Sequence, residues 1–162
     1  MYNNMEYVLD VNILKEVLRQ YDSKYPNKKL TLVNGFDRNT IQSINRVIEN
    51  EGYNGRIVAS SFAFIEILNK ISEISAGQYT LDKIRAFINQ PPEWFIIEPI
   101  DIETCCHYFS IPKFTSQNKG IELADAIHLA TAYQRGDKAI FVSTDHKLID
   151  VCTLKYLPEK TK

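Results

Sequence analysis

Four carboxylates in this chain have the neighbours and spacing for metal-assisted chemistry. The stretch "ELADAIHLATAY" (122–133) is a helix pattern with almost no polar face. Leu123, Ala124, Ala126, Ile127, Leu129, Ala130 and Ala132 crowd it, yet Asp125 stands among them. A carboxylate in such surroundings is costly unless it is paired or holds a metal. Asp10 closes the run "EYVLD", Asp145 follows "AIFVST", and Glu66 falls on the first turns after "RIVAS". Carboxylates side by side raise one another's pKa and cannot all stay ionised without a cation. Hard divalent ions such as Mg2+ or Mn2+ suit carboxylate oxygens and retain waters. Such an ion polarises a phosphoryl oxygen or generates a hydroxide near neutral pH, so an acidic site of this kind would take a polyanion through its metals. Each acid alone also has a plainer role open to it. Asp10 would end a strand, Glu66 pair with Lys70 at i+4, Asp145 cap a helix starting at His146, and Asp125 complement a helix dipole. Glu122, three residues before Asp125, is either a supporting acid or a solvated helix start. The joint pattern is what points to a site.

The elements that must position these acids are legible as runs. "EYVLD" (6–10), "RIVAS" (56–60), "EWFIIEPI" (93–100) and "AIFVST" (139–144) are continuous rather than alternating, as in strands covered on both faces, and "TLKYL" (153–157) is a weaker fifth. Helical periodicity fills the gaps at 12–21, 39–51, 61–74, 80–89, about 101–109 and 121–135, with a short helix after Asp145. Alternating strands and helices predict an α/β fold, a mainly parallel sheet with helices on both faces. In an open parallel sheet, sites form at the carboxyl edge of the strands. Asp10 and Asp145 end strands, while Glu66 and Asp125 start helices, so all four converge there. "NGFD", "GYNG", "QPP", "SQNKG" and "RGD" punctuate the chain as turns. Within 22–38, "KKLTLVNG" reads either as a small extra strand or as an irregular loop.

The totals narrow the classes. The chain's 162 residues predict one domain spanning 1–162, with a core at about 6–157. Three cysteines without a C-x-x-C pair argue against a disulfide framework and a zinc site, and predict a reducing cytoplasm. No apolar run is long enough for a membrane span, and the start has no signal-peptide pattern. The net charge of -1 does not announce a nucleic-acid binder. No Gly-rich phosphate loop follows a strand and no G-x-S-x-G occurs. Lys113, Lys119, Arg135, Lys138 and Lys147 are candidate phosphate contacts beside the reading of ordinary solvated charges. His128, at i+3 from Asp125, would orient it or serve as a satisfied packing histidine; Trp94 reads as core or sheet-edge packing.

"YVLDVNIL", "SSFAFIEIL" and "ELADAIHLATAYQRGDKAIFVSTDHKLI" together resemble the PIN-domain family, especially its VapC-type toxin nucleases. In that family D-x-N or D-x-S opens the chain, a Glu follows the second strand, and a D-A-x-x-x-A-x-A helix runs into a T/S-x-D strand end. Asp10, Glu66, Asp125 and Asp145 match the four acidic positions; Asn12 and Ser143 match the accompanying polar ones. The match runs from about 7 to 149 and its C-terminal block is the most specific part. Val11 stands where Thr is common, and 22–55 is long enough to hold an insertion such as an added helix pair. The resemblance implies a three-layer α/β/α fold and Mg2+- or Mn2+-dependent cleavage of RNA. Asp10, Glu66, Asp125 and Asp145 would be both metal ligands and catalytic groups, with Asn12 and Ser143 supporting them. It further implies a toxin restrained by an antitoxin protein, and often a homodimer. Two rivals stay open: a PIN-like module that binds RNA or protein without cutting, and a phosphatase-like enzyme with Asp10 as nucleophile, which lacks a second acid at Asn12.

Overall fold

The structure is a computed structural model, and it describes residues 4–31, 37–49, 55–74, 78–108, 122–145 and 148. The elements run β1 (Glu6–Leu9), α1 (Val11–Gln20), α2 (Arg38–Glu49), β2 (Arg56–Ser60), α3 (Ser61–Ile74), α4 (Gln78–Asn89), β3 (Phe95–Glu98), α5 (Ile102–Tyr108), α6 (Leu123–Arg135) and β4 (Ala139–Val142). The four strands form one parallel sheet in the order β3-β2-β1-β4. The expected "TLKYL" strand and the short helix after Asp145 lie outside the described residues, Leu148 aside.

Alternation along the strands divides the core between two faces. Tyr7, Leu9, Ile57, Ala59 and Phe95 point to one face. They join Leu14 and Val17 of α1, Ile44 and Ile48 of α2, Phe64 of α3 and Phe87 of α4. Val8 and Val58 point to the other face and meet Ala132 of α6 and Ala139. These are the three α/β/α layers expected from the sequence. Each fully buried aliphatic side chain contributes roughly 1.5–3 kcal/mol relative to exposure, so the larger first face carries most of the hydrophobic stabilisation. An aromatic group thickens it: Phe87 lies edge-on to Tyr21 and Phe95, with ring centroids 4.9 Å apart in both cases.

Within 22–55 the described residues hold one helix, α2, and Leu30, Ile44, Val47 and Ile48 from this stretch join the core. Ile41, Ile44, Val47 and Ile48 of α2 are all buried. The loop before it is irregular over its described part and is pinned by side chains. Asn45 accepts from Leu30 N (2.7 Å) and donates to Leu30 O (3.0 Å), Gln20 accepts from Thr31 N (2.8 Å), and the Trp94 indole donates to Pro26 O (2.9 Å). Trp94 thus packs at the sheet edge and precedes β3. The strand is shorter than the apolar run because Pro92 makes a turn with Phe95 and Pro99 cannot extend the ladder.

Gly136 ends α6 with φ +87°. That backbone conformation favours glycine, and it turns the chain into β4.

Candidate metal centre

Three of the four acids take their positions from a strand end or a helix's first turn, and Glu66 sits on its helix's second turn. Asp10 follows β1 and is the N-cap of α1. Its Oδ1 accepts from Val11 N at 2.7 Å and its Oδ2 from the Ser143 hydroxyl at 2.7 Å. The residue is 2% exposed. Such bonds fix its orientation. Ser143 Oγ accepts in turn from Asp145 N at 2.9 Å. One hydroxyl therefore ties the end of β4 to the end of β1, and Asp145 to Asp10. On β2, Ser60 Oγ accepts from Phe62 N (3.1 Å) and turns the strand directly into α3. Glu66 comes out on the second turn of α3. Its Oε1 lies 3.4 Å from Nε2 of His128 on α6. Asn12 is exposed on the first turn of α1.

Asp125 lies in the first turn of α6. Its helix is as apolar as the sequence suggests, but the carboxylate itself is only partly buried. Burial first, then the negative charges of Asp10, Asp145 and Glu122, push it up to about 6, with His128 opposing. The helix dipole alone therefore does not neutralise it. Lys15, on α1, faces Asp10 and Glu66, which draw its proton on. Burial and the ammonium of Lys70 outweigh them and hold Lys15 below its usual range. Acids and lysines thus share one edge with mutually opposed demands.

The structure gathers Asp10, Asp125 and Asp145 electrostatically and brings Glu66 against α6 through His128. Among the described residues no three His, Cys, Asp or Glu side chains lie close enough to enclose a metal ion as they stand. The donor set nevertheless fits a hard cation: carboxylate oxygens, one of them held up near pH 6, and a buried Glu66 oxygen with no hydrogen-bond partner among the described residues.

His128, for which the sequence left orienting Asp125 and packing both open, sits in a packing position. It is fully buried, as a packing histidine would be, but neither ring nitrogen has a hydrogen-bond partner among the described residues. Its only sequence signal was the one-turn spacing from Asp125. Arg135 is corrected. Its guanidinium is held by Glu6 (2.7 and 2.6 Å) and Glu98 (2.7 Å), so it serves as a structural clamp. Lys138 precedes β4, at the sheet edge opposite the acids. Lys113, Lys119 and Lys147 lie outside the described residues. A hollow of about 980 Å³ lined by Tyr21, Lys24, Lys83 and Pro92 also opens at that opposite edge, between the end of α1 and the α4–β3 connection. Cys105 and Cys106 are exposed free thiols. No described helix is long and apolar enough to cross a membrane.

The sequence model of the PIN domain matches residues 7–154, most of the chain, and the protein belongs to that family. Domains of this family are generally metal-dependent nucleases that bind RNA. No curated protein and no solved structure matches the chain significantly.

Proposed function

We propose that this PIN domain is an endoribonuclease in which Asp10, Glu66, Asp125 and Asp145 hold Mg2+ or Mn2+, the chain acting as one domain. The observation that carries the reading is the acidic edge itself: Ser143 Oγ joins the Asp10 carboxylate to the Asp145 backbone, beside the first turn of α6 that holds Asp125. Burial, Asp10 and Asp145 push the Asp125 carboxyl group up to about 6, which agrees with that crowding. A fold gains nothing in stability from such a cluster; a cation arriving from solution relieves it. When bound, the divalent ion supplies charge stabilisation at a phosphodiester and an activated water.

The chain's own groups have separable tasks. Asp10 is held in one orientation by Val11 N and Ser143 Oγ, so it meets a ligand without first losing rotamer freedom. Ser143 keeps Asp145 in register with Asp10 through its backbone bond. Asp125 gives up a proton near pH 6 as the site fills. Asn12, exposed beside Asp10 in sequence, is assigned a supporting contact to water or ligand.

The finer biological role proposed is that of a toxin restrained by an antitoxin in the cytoplasm, acting as a homodimer. The resemblance of the 122–149 block to VapC-type toxins supports it. Growth arrest on induction of the wild type, absent with Asp125→Asn, is the result expected.

The direct test is Mn2+ calorimetry and cleavage of a mixed RNA pool, on the wild type and Asp125→Asn. Metal binding weakened and cleavage lost in a folded variant is expected. Unchanged cleavage by Asp125→Asn sinks the assignment. RNA affinity without turnover at any metal concentration supports a non-catalytic binding module instead.

A further inference from the structure

We infer that His128 is a positioning residue for Glu66, an inference that rests on the nuclease reading above. His128 sits one turn after Asp125, on the face of α6 turned toward α3. Its side chain is 0% exposed. Nε2 stands 3.4 Å from Glu66 Oε1, longer than the roughly 2.7–3.2 Å of a formed N–H···O bond. Among the described residues neither ring nitrogen nor that oxygen has any hydrogen-bond partner. The Phe62 ring lies 6.3 Å from the imidazole, and Ala126, Leu129, Ala130 and Ala132 around it on α6 are buried.

Three buried polar atoms without partners among the described residues are expensive for a fold. A leucine or phenylalanine would serve the α3–α6 interface better if packing were the only task. The imidazole offers what an apolar residue cannot, an Nε2–H behind one oxygen of a carboxylate. Glu66 Oε1 is turned inward against it, while the Glu66 side chain as a whole keeps 17% of its surface exposed. A donor behind Oε1 selects one rotamer of a long, flexible side chain and leaves the second oxygen available to a ligand. Because His128 and Asp125 share a helix turn, the same rigid element sets Asp125 and the brace on Glu66. Partners of this kind, one step removed from a metal, typically change its affinity about 10–100-fold.

The test compares full-length wild type, His128→Phe, His128→Gln and His128→Asn. Phe keeps the packing without a donor. Gln places an amide N–H near the position of Nε2, whereas Asn places one near Nδ1. Expected is a Phe variant that melts, metal-free, at or above the wild-type temperature yet binds Mn2+ about 10–100-fold more weakly, with Gln retaining affinity and Asn not. Phe binding Mn2+ like the wild type overturns the inference. Equal affinity of Gln and Asn overturns it even if the Phe variant fails to fold. A wild type that binds no Mn2+ counts against the nuclease reading instead. The pairing is then read from 15N-labelled histidine spectra of the metal-free protein. A proton on Nε2 that is lost from its slowly exchanging resonance in Glu66→Ala supports the brace. A proton on Nδ1 alone removes it.

Discussion

Helix α6 has an acidic neighbourhood at each end, and the two are neutralised differently. Near its C-terminus, Glu6 and Glu98 are drawn from two strands onto a single guanidinium, Arg135, which is only 23% exposed. That ion cluster is complete within the chain, and the two acids raise the Arg135 pKa further. Near its N-terminus, Asp125 is left with Asp10, Asp145 and Glu122 as neighbours. Lys15, which faces Asp10 and Glu66, is itself held down by burial and Lys70. Where charge serves architecture, the fold supplies an arginine fork. At the other end the imbalance remains, and its acidic neighbours hold the Asp125 carboxyl group up.

Replacing Asp10 with Asn should have the largest effect. Cleavage falls by about 10³-fold or more, since several kcal/mol of charge stabilisation depends on the acids. Circular dichroism should stay native, because Asn still caps α1. Retained cleavage would erase the functional half of the contrast. Arg135→Met should show the opposite profile. It costs on the order of 2 kcal/mol or more, because Glu6 and Glu98 lose their counter-charge while half-buried. Mn2+ affinity should stay within about 2-fold, because ten residues of helix, about 15 Å, separate Arg135 from Asp125. Urea melts and calorimetry on this one variant check both, and a shared loss would mean the two neighbourhoods are one network.

Ser143→Ala removes the hydroxyl that joins Asp10 to the Asp145 backbone. It should weaken Mn2+ about 10-fold and cost about 1 kcal/mol. The smallest effect is in pH. A carboxyl raised to about 6 when folded, against 3.8 ordinarily, binds its proton more tightly in the native state. Its contribution is therefore full below about pH 4 and lost as pH rises through 6. Asp125→Asn should abolish that slope in metal-free melts and gain on the order of 1 kcal/mol at pH 7.5, once solvent screening of a partly exposed group is allowed for. In the wild type, Mn2+ affinity should fall as pH drops below 6. A flat difference between the two proteins would remove the electrostatic argument.

The acidic edge at the N-terminus of α6 was partly readable in residues alone, and the ion cluster at its C-terminus was not. Strands β1, β2 and β4 are apolar on both faces, so "YVL", "IVA" and "AIFV" stood out without structure. Asp10, Glu66, Asp125 and Asp145 followed from strand-end and helix-start logic, which needs only local order. Arg135 misled because its partners lie 129 and 37 residues away; no periodicity links an arginine to such acids. His128 looked like core for a sound reason: it is core by burial. What separates it from an ordinary packing residue is that its ring nitrogens find no hydrogen-bond partner among the described residues, and that is a property of the fold. The loop at 22–31 was illegible because side chains, chiefly Asn45, Gln20 and Trp94, define it instead of backbone pattern.

The sheet order has a consequence for synthesis. Strand β1, near the start of the chain, lies between β2 and β4, and the Ser143–Asp10 bond spans 133 residues. A growing chain can stack β1, β2 and β3 with their helices early, since those pairings are nearer in sequence. It holds only Asp10 and Glu66 until α6 and β4 have left the ribosome. Closing so long a loop comes late in folding. If the four acids are the catalytic set, a partly made molecule therefore lacks Asp125 and Asp145, and the face of β1 and β2 that α6 covers stays open until the last strand pairs.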